Sequence, residues 1–201
     1  MLVKIYNQNP NEKTIAQVVD VLNNDGVIIY PTDSVYAFGC SINSAKALER
    51  IKVLTGKDTK DISIMCADLS SISDYARIET PVFKLLKRNT PGPFTFILNS
   101  SNKVPDKLLA RRKEIGVRIS SNPVAMAIVE ALGKPMITAS VKSDEQDIEY
   151  ITDPELIHET FSKIVNMVLD AGIGLASATA IVDCREGEAV IIREGAQELK
   201  L

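Results

Sequence analysis

Hydroxyl and charged side chains recur where the predicted strands of this 201-residue chain end. The stretch VIIYPTDSVYAFGC, residues 27–40, leads an apolar run into a proline followed by Thr32, Asp33, Ser34 and Tyr36. A strand needs no such cluster at its end, whereas a polar ligand does. Because ligands of open α/β sheets bind beyond the carboxyl ends of strands, we expect one polar small-molecule or nucleotide pocket there. The other strand-end groups assigned to it are Thr138, Ser140, Thr179 and Arg193.

Arg118 has the most informative position among the basic residues. Its neighbours Val117 and Ile119 mark a strand that buries apolar groups, so this arginine needs an anionic partner or an open cavity. The basic run nearby is different, because a charge run on a loop is usually a solvated face. That interpretation is favoured over a functional one for Lys103, Lys107, Arg111, Arg112 and Lys113.

Other kinds of catalytic site are poorly supported. The single histidine, His158, lies in a polar stretch far from any nucleophile motif, which argues against a Ser-His-Asp triad or a histidine-ligated metal. The stretch TGKDT resembles the end of a P-loop, but the leading glycine of that motif would fall at Ile51. Gly56 and Lys57 are therefore interpreted first as a helix C-terminus, and second as a cation aimed at a nucleotide phosphate.

Composition limits the class of protein. A hydrophobic content of 45% and a charged content of 24% are typical of a globular domain, and we predict one domain over residues 1–201. The net charge of −3 argues weakly against a dedicated RNA-binding protein. Three widely spaced cysteines without a CxxC pair favour a reducing cytoplasmic location and no structural zinc. No apolar run reaches the roughly 20 residues of a membrane helix, and none resembles a signal peptide.

Periodicity predicts alternating helices and strands. This pattern favours an α/β fold with crossover helices, and the strand-rich last third suggests that part of the sheet is antiparallel. The segment around SDEQDIEYITDPE is interpreted as a surface loop or insertion. Helices are predicted over 14–22, 44–54, 80–89 and 122–133, and strands over 27–30, 62–66, 94–98, 115–120, 135–140, 164–170, 178–183 and 189–194.

Five blocks of the chain resemble the YrdC-like threonylcarbamoyl-AMP synthase family, in the same order. YPTDSVYAFGC is similar to the family's PTETVYGLG signature. The other four blocks are TPGPFTFIL, IGVRIS, PMITAS and AVIIREG. The stretches IMCADLS and REGAQE are closer to the YciO branch of the family. The resemblance implies a YrdC-like twisted sheet, parallel and antiparallel, with flanking helices around a large positively lined cavity.

The resemblance also implies an activity and a set of ligands. Family members join L-threonine, bicarbonate and ATP into threonylcarbamoyl-AMP with release of pyrophosphate, for the modification of an adenosine in tRNA. Magnesium accompanies the ATP as substrate, no prosthetic group or protein metal site is implied, and no membrane is involved. ATP or AMP, threonine and bicarbonate are thus the expected partners, and structured, double-stranded RNA is a further one.

Site residues carry over position by position. Arg118 matches an arginine that pairs with the threonine carboxylate, a bidentate contact for which its planar fork is suited. Ser34, Thr138 and Thr179 match the other threonine-binding positions. Lys57 and Ser140 match residues of the family's K-x-R and S-x-N motifs, assigned here to nucleotide binding and catalysis, and Arg193 matches a nucleotide-binding arginine.

Departures from the family pattern predict a weak or altered synthase activity. Thr55 replaces the lysine of K-x-R and Lys57 its arginine, so that one cation without a fork stands where two stood. Lys142 replaces the asparagine of S-x-N, either as a loss or as compensation. Cys66, a predicted core residue, replaces a histidine, and Asp58 a proline. The alternative is a non-catalytic nucleotide- or double-stranded-RNA-binding protein of the same fold.

Overall fold

Helices and strands alternate along the chain. The computed structural model describes residues 1–56, 62–109, 112–141 and 148–201. The helices are α1 (Glu12–Asn23), α2 (Ala45–Leu54), α3 (Leu69–Tyr75), α4 (Thr80–Asn89), α5 (Asp106–Leu109), α6 (Pro123–Leu132), α7 (Glu149–Thr152) and α8 (Pro154–Phe161). The strands are β1 (Leu2–Lys4), β2 (Ile28–Tyr30), β3 (Ala37–Ser41), β4 (Ile62–Met65), β5 (Ala76–Arg77), β6 (Phe94–Ser100), β7 (Glu114–Arg118), β8 (Met136–Ser140), β9 (Met167–Asp170), β10 (Ala180–Asp183) and β11 (Val190–Arg193).

These strands form one mixed sheet in the order β1-β9-β2-β3-β8-β4-β7-β6-β10-β11, and β5 pairs with β6 beside this path. The pairs β1–β9, β2–β9, β4–β7 and β6–β10 are parallel. Antiparallel pairing is concentrated in the centre, where β3 lies between β2 and β8 and where β8 pairs with β4. The expectation of a partly antiparallel sheet is confirmed, and in the last third of the chain β8 pairs antiparallel with β3 and β4, and β10 with β11.

The capped helices match the sequence well. The side chain of Asn122 accepts hydrogen bonds from the amides of Val124 and Ala125, Pro123 occupies the first turn of α6, and Gly133 ends it in the left-handed conformation at φ 68°. Ser44 caps α2, which settles the choice between Asn43 and Ser44. Caps and turn residues act locally, so the sequence is sufficient to place them.

Several elements were not predicted, among them the short elements β1, α3, β5 and α5. The polar segment predicted as a loop holds α7 and α8 in its described part, because Asp153 caps α8 and buried Pro154 and Ile157 are enough to anchor a short, otherwise polar helix. Strand β3 follows the hydroxyl cluster directly and was not predicted. All of its side chains are buried, so it lacks the alternation by which a half-exposed strand is found.

The helices cover the sheet unequally. Helices α1 and α6 pack on one face, against alternate residues of the strands from β9 to β8. Helices α2, α3, α4 and α8 pack on the other face and form a second hydrophobic cluster there. The strand residues Phe94, Phe96, Ile115 and Val117 belong to this cluster. The α1–α6 side of β4, β7, β6 and β10 therefore carries no helix of its own in the described structure. No described helix is both long enough and apolar enough to cross a membrane.

Candidate functional site

A cavity of about 730 Å³ occupies this uncovered part of the sheet face. On β7 and β6 the lining follows the period of two that places alternate strand residues on one face, with residues 114, 116 and 118 of β7 and residues 95 and 97 of β6. β8 contributes residues 138–140, and β4 residues 62 and 63. The expectation that the pocket lies beyond the carboxyl ends of the strands is wrong, because β8 runs antiparallel to β4, so that Ser140 and Arg118 lie toward opposite ends of the cavity.

Five of the predicted residues line this one cavity: Arg118, Thr138, Ser140, Thr179 and Arg193. Four arginines and one carboxylate, Glu114, stand in the described wall. Two of the arginines also pair with carboxylates outside the lining, Arg118 with Asp33 and Arg185 with Asp183. The described wall therefore carries charged side chains of both signs.

Arg118 lies at the end of β7 and only 3% of its surface is exposed. Its Nη2 donates to Oδ1 of Asp33 at 2.6 Å and to Oγ of Ser34 at 3.4 Å. Its Nε is buried and has no hydrogen-bond partner in the described structure. The predicted need for an anionic partner or an open cavity is thus met by both, and the buried Nε donor remains unused.

Tyr30 and Thr138 form the second polar contact of this floor. The Tyr30 hydroxyl and Thr138 Oγ1 are 2.7 Å apart, and both side chains are buried. Burial raises the pKa of Tyr30 to about 12, and the opposing effect of nearby Arg118 is smaller. Tyr30 is therefore a neutral phenol at physiological pH. Tyr30, Asp33, Arg118 and Thr138 are termed the floor below; Arg118 and Thr138 line the cavity, and Tyr30 and Asp33 contact them from behind.

Thr179 and Arg193 form the opposite side. Arg193 donates from Nε and Nη2 to the backbone oxygen of Thr179 at 3.1 and 2.8 Å, and Thr179 Oγ1 lies 3.1 Å from Oγ1 of Thr95. Because Phe96 pairs with Val117 in the adjacent strand, Thr95 lies beside Arg118. Arg193 and its exposed neighbour Ile192, both on edge strand β11, are termed the rim.

Ser34 requires a correction. It lines an adjoining cavity of about 670 Å³ with Thr32 and Asp33, and not the cavity of the other five residues. The turn after β2 is the reason, since Thr32 Oγ1 accepts from the Ser34 amide, lies 2.9 Å from Ser34 Oγ, and donates to the Val35 carbonyl. The two cavities meet at the contact between Ser34 and Arg118.

The altered phosphate-side residues are described only in part. Lys57, Asp58 and Lys142 lie outside the described residues. Thr55, which stands where the family has a lysine, donates its hydroxyl to the carbonyl of Ile51 at 3.0 Å. Gly56 follows it at φ 73°, which confirms the predicted left-handed end of α2. In the part of the polar segment that the structure describes, Ile148 and Ile151 line the cavity.

The basic run divides into two parts. Lys103 forms an exposed ion pair with Asp74, as expected of a solvated face. Arg112 instead lines the main cavity and also, with Arg77, Lys113 and Arg185, a neighbouring groove of about 550 Å³. Position 111 lies outside the described residues.

Cys66 is a core residue, as predicted. Its surface is fully buried, its amide donates to the Arg118 carbonyl at 2.8 Å, and burial raises the pKa of its thiol to about 12. A thiol that stays protonated at neutral pH is neither a nucleophile nor a substitute for the family's histidine.

Sequence reasoning missed three site residues: Asp33 as the partner of Arg118, Tyr30 and Thr95. In the sequence Asp33 is only one member of the hydroxyl cluster, and no local signal links it to an arginine 85 positions away. Tyr30 looks like the last apolar residue of β2, and Thr95 like a strand residue, so only the strand order reveals their roles.

Comparison with known proteins is consistent with this geometry. The model of the Sua5/YciO/YrdC family, described as telomere recombination, matches residues 20–195. The protein named YciO of Escherichia coli strain K12 is 39% identical over 98% of this chain and 96% of its own length, and the E. coli YciO crystal structure superposes with a TM-score of 0.91, covering 100% of this chain and 98% of that one.

Two further relatives carry functional names. A threonylcarbamoyl-AMP synthase of Enterobacter sp. strain 638 is 32% identical over 67% of this chain and 73% of its own length. Sua5 of P. abyssi, crystallised with L-threonine, has a TM-score of 0.87 at 22% identity over 97% of this chain and 57% of that one. At that identity the second match establishes the fold alone. The mixed sheet with flanking helices is the fold of this group.

Proposed function

The chain belongs to the Sua5/YciO/YrdC family, and from this premise we propose that it is a nucleotidyltransferase that joins L-threonine, bicarbonate and ATP into threonylcarbamoyl-AMP. Pyrophosphate and water are the other products, and magnesium arrives with the ATP. The observation that carries the proposal is Arg118, a buried arginine at the cavity floor with an unpartnered Nε. A named synthase among the relatives and a Sua5 structure with L-threonine support this choice of ligands.

The residues divide between the two halves of the reaction. Arg118 would bind the threonine carboxylate, and Thr138 and Thr179 the rest of the amino acid. Ser34 would act through its contact with Arg118 Nη2. Arg193, Ser140 and Lys57 would bind the nucleotide. Negative charge grows on phosphate oxygens when a carbamate oxygen attacks the α-phosphorus, and fixed donors stabilise it without reorganisation.

We expect this activity to be weak, because Thr55 carries no charge and its hydroxyl is bonded within α2. The protein would then work mainly by holding the three reactants in one orientation. This kind of catalysis requires no nucleophilic side chain. The three unpaired cysteines support a reducing, cytoplasmic location, where tRNA is modified.

The deciding experiment incubates the purified protein with ATP, magnesium, L-threonine and bicarbonate. We expect pyrophosphate release that requires both threonine and bicarbonate, with threonylcarbamoyl-AMP identified by mass spectrometry. R118A should abolish the product, and R88A, on the exposed side of α4, should leave it unchanged. Product formation by R118A at the wild-type rate would refute the assignment of the threonine site.

A second variant tests the reason for weak activity. The double substitution T55K/K57R restores the family's K-x-R motif, and we expect at least about a tenfold gain in product formation from the two charged hydrogen-bond donors. A matched control, K52R, changes a lysine of α2 that is paired with Glu49. No gain in the double variant would mean that the departure at these positions does not limit the reaction.

The second candidate function is a non-catalytic protein that binds nucleotide or double-stranded RNA in the same cavity. The internal hydrogen bond of Thr55 favours it, because a phosphate-facing cation is missing at that position. It predicts that ATP raises the melting temperature of the wild type while no adenylated product forms. Binding of a short RNA duplex that competes with ATP would extend the site to RNA, and Arg77 and Lys113 of the neighbouring groove are the residues to substitute.

A further inference from the structure

The ion pair between Arg118 and Asp33 is buried at the junction of the two cavities. Nη2 and Oδ1 are 2.6 Å apart, and the two side chains are only 4% and 7% exposed. Arg118 lines the main cavity, and Asp33 lines the adjoining one. A ligand carboxylate that approaches Arg118 therefore meets an arginine that already has a carboxylate partner.

Asp33 is held in place independently of Arg118. Its second oxygen, Oδ2, accepts from the Ser121 amide at 2.7 Å and from the Ser121 hydroxyl at 3.2 Å. The Thr32 turn fixes the backbone next to it. A ligand that displaced this carboxylate would leave the two Ser121 donors without a hydrogen-bond acceptor. We therefore expect a ligand to bind beside Asp33 and not in its place.

The pair fixes the donors that Arg118 presents. A guanidinium binds a carboxylate with two hydrogen bonds through one of two edges, either Nε with Nη2 or Nη1 with Nη2. Both edges include Nη2. Asp33 and Ser34 hold Nη2, while Nε keeps an unused N–H. The plane of the guanidinium is thus set before any ligand arrives, which reduces the ordering cost of binding.

The pair also cancels the charge of Arg118. A buried net charge is costly, and a buried neutral pair is less so. A simple carboxylic acid would add one negative charge to a neutral pair, whereas an α-amino acid brings an ammonium group with its carboxylate and adds none. The charge balance of the floor therefore favours a zwitterion.

We propose that Asp33 is a positioning and specificity residue, which orients Arg118 and makes the site prefer an amino acid over a carboxylic acid without an amino group. This inference rests on the proposed function, because that function makes Arg118 the carboxylate-binding residue. It adds a role for a residue that touches Arg118 and not the reacting atoms.

The first test needs no ligand. Nitrogen-detected NMR of the arginine side chains should show the Arg118 guanidinium as rotationally restricted in the wild type and averaged in D33N. D33E, which carries the glutamate of the family's PTET signature, should restore the restriction. D74N is the matched control, since it breaks the exposed pair with Lys103. A guanidinium as ordered in D33N as in the wild type would overturn the positioning role.

The second test compares two probes by calorimetry: L-threonine and 3-hydroxybutyrate, which is threonine without its amino group. The wild type should bind threonine at least about tenfold more tightly than 3-hydroxybutyrate. D33N should reduce the ratio of these two affinities by about tenfold, because it leaves Arg118 with an unmatched charge. The other cationic side chains of the cavity are the same in the wild type and in D33N, so they do not contribute to the change in this ratio of affinities. A purely structural role of Asp33 would weaken both probes in parallel.

The outcomes separate the two proposals. An unchanged ratio in D33N with intact threonine binding overturns the specificity role and leaves the proposed function standing. If the wild type binds neither probe, the proposed amino-acid site and the preference are both wrong, and the NMR comparison still decides whether Asp33 positions Arg118. Restoration by D33E in both tests is the result expected if charge and geometry act together.

Discussion

Arg118 on the floor and Arg193 on the rim both face the cavity, but Arg118 is buried and Arg193 is exposed. Arg118 is buried on a strand near the middle of the sheet and paired with Asp33. Arg193 is exposed on the edge strand β11, beside Ile192 at 58% exposure, and bonds to the backbone of Thr179. The floor is therefore part of the core, so binding and stability depend on the same atoms there, whereas the rim can change with little effect on folding.

The strongest test of this contrast is R118A, measured by urea unfolding. It leaves the buried Asp33 carboxylate without its cation, so we expect a loss of about 3–5 kcal/mol in the free energy of unfolding. Adding D33N should recover much of this loss, because the unpaired buried charge is then removed. A loss below about 1 kcal/mol would mean that the floor is not coupled to the core.

R193A tests the rim with the opposite expectation. Loss of a charged donor should weaken ATP binding by about tenfold or more, while the free energy of unfolding changes by no more than about 1 kcal/mol. Calorimetric titration with ATP and a urea unfolding curve measure the two effects. The comparison fails if R193A destabilises the fold as much as R118A does.

Y30F removes one buried hydrogen bond of the floor without removing a charge. Thr138 loses the hydroxyl that lies 2.7 Å from its Oγ1, so we expect a loss of about 1–2 kcal/mol in the free energy of unfolding. The control Y6F changes a tyrosine that is 65% exposed and should be neutral. Equal stability of Y30F and Y6F would contradict a structural role for this pair.

The smallest effect expected concerns two thiols. Burial raises the pKa of Cys66, beside the floor, to about 12, and that of Cys184, after β10, to about 11. Only the thiolate reacts, so both should stay nearly inert at pH 7, and on raising the pH Cys184 should be alkylated first. Mass spectrometry of the native protein after alkylation between pH 7 and 10 would detect the order. Prior labelling of Cys66 would contradict it.

Sequence was most informative where the signal is local or where a motif resemblance carried it. Asn122, Pro123 and Gly133 mark the ends of α6 because caps act within one turn. Five of the predicted site residues line one cavity, since strand periodicity and motif order place them on one face. β3 and α8 were missed because uniform burial and a short apolar contact leave no periodic pattern.

The contact between Asp33 and Arg118, in contrast, could not be predicted from the sequence. Their 85-residue separation is bridged by strands that pair out of sequence order, and no spacing rule joins two such positions. The same is true of Tyr30 with Thr138, and of the split that puts Ser34 in the adjoining cavity. The chemistry of single residues was predictable, whereas their pairing required the tertiary structure.

The distance in sequence between Asp33 and Arg118 also has a kinetic consequence. Contacts between remote segments form slowly, because loop-closure entropy must be overcome before they contribute. β3 and β8, which support the floor, must likewise find each other across about half of the chain. During synthesis the floor cannot assemble until β7 and β8 have emerged from the ribosome. Ligand binding at Arg118 would therefore report that β2, β7 and β8 have come together, which separate helices cannot report.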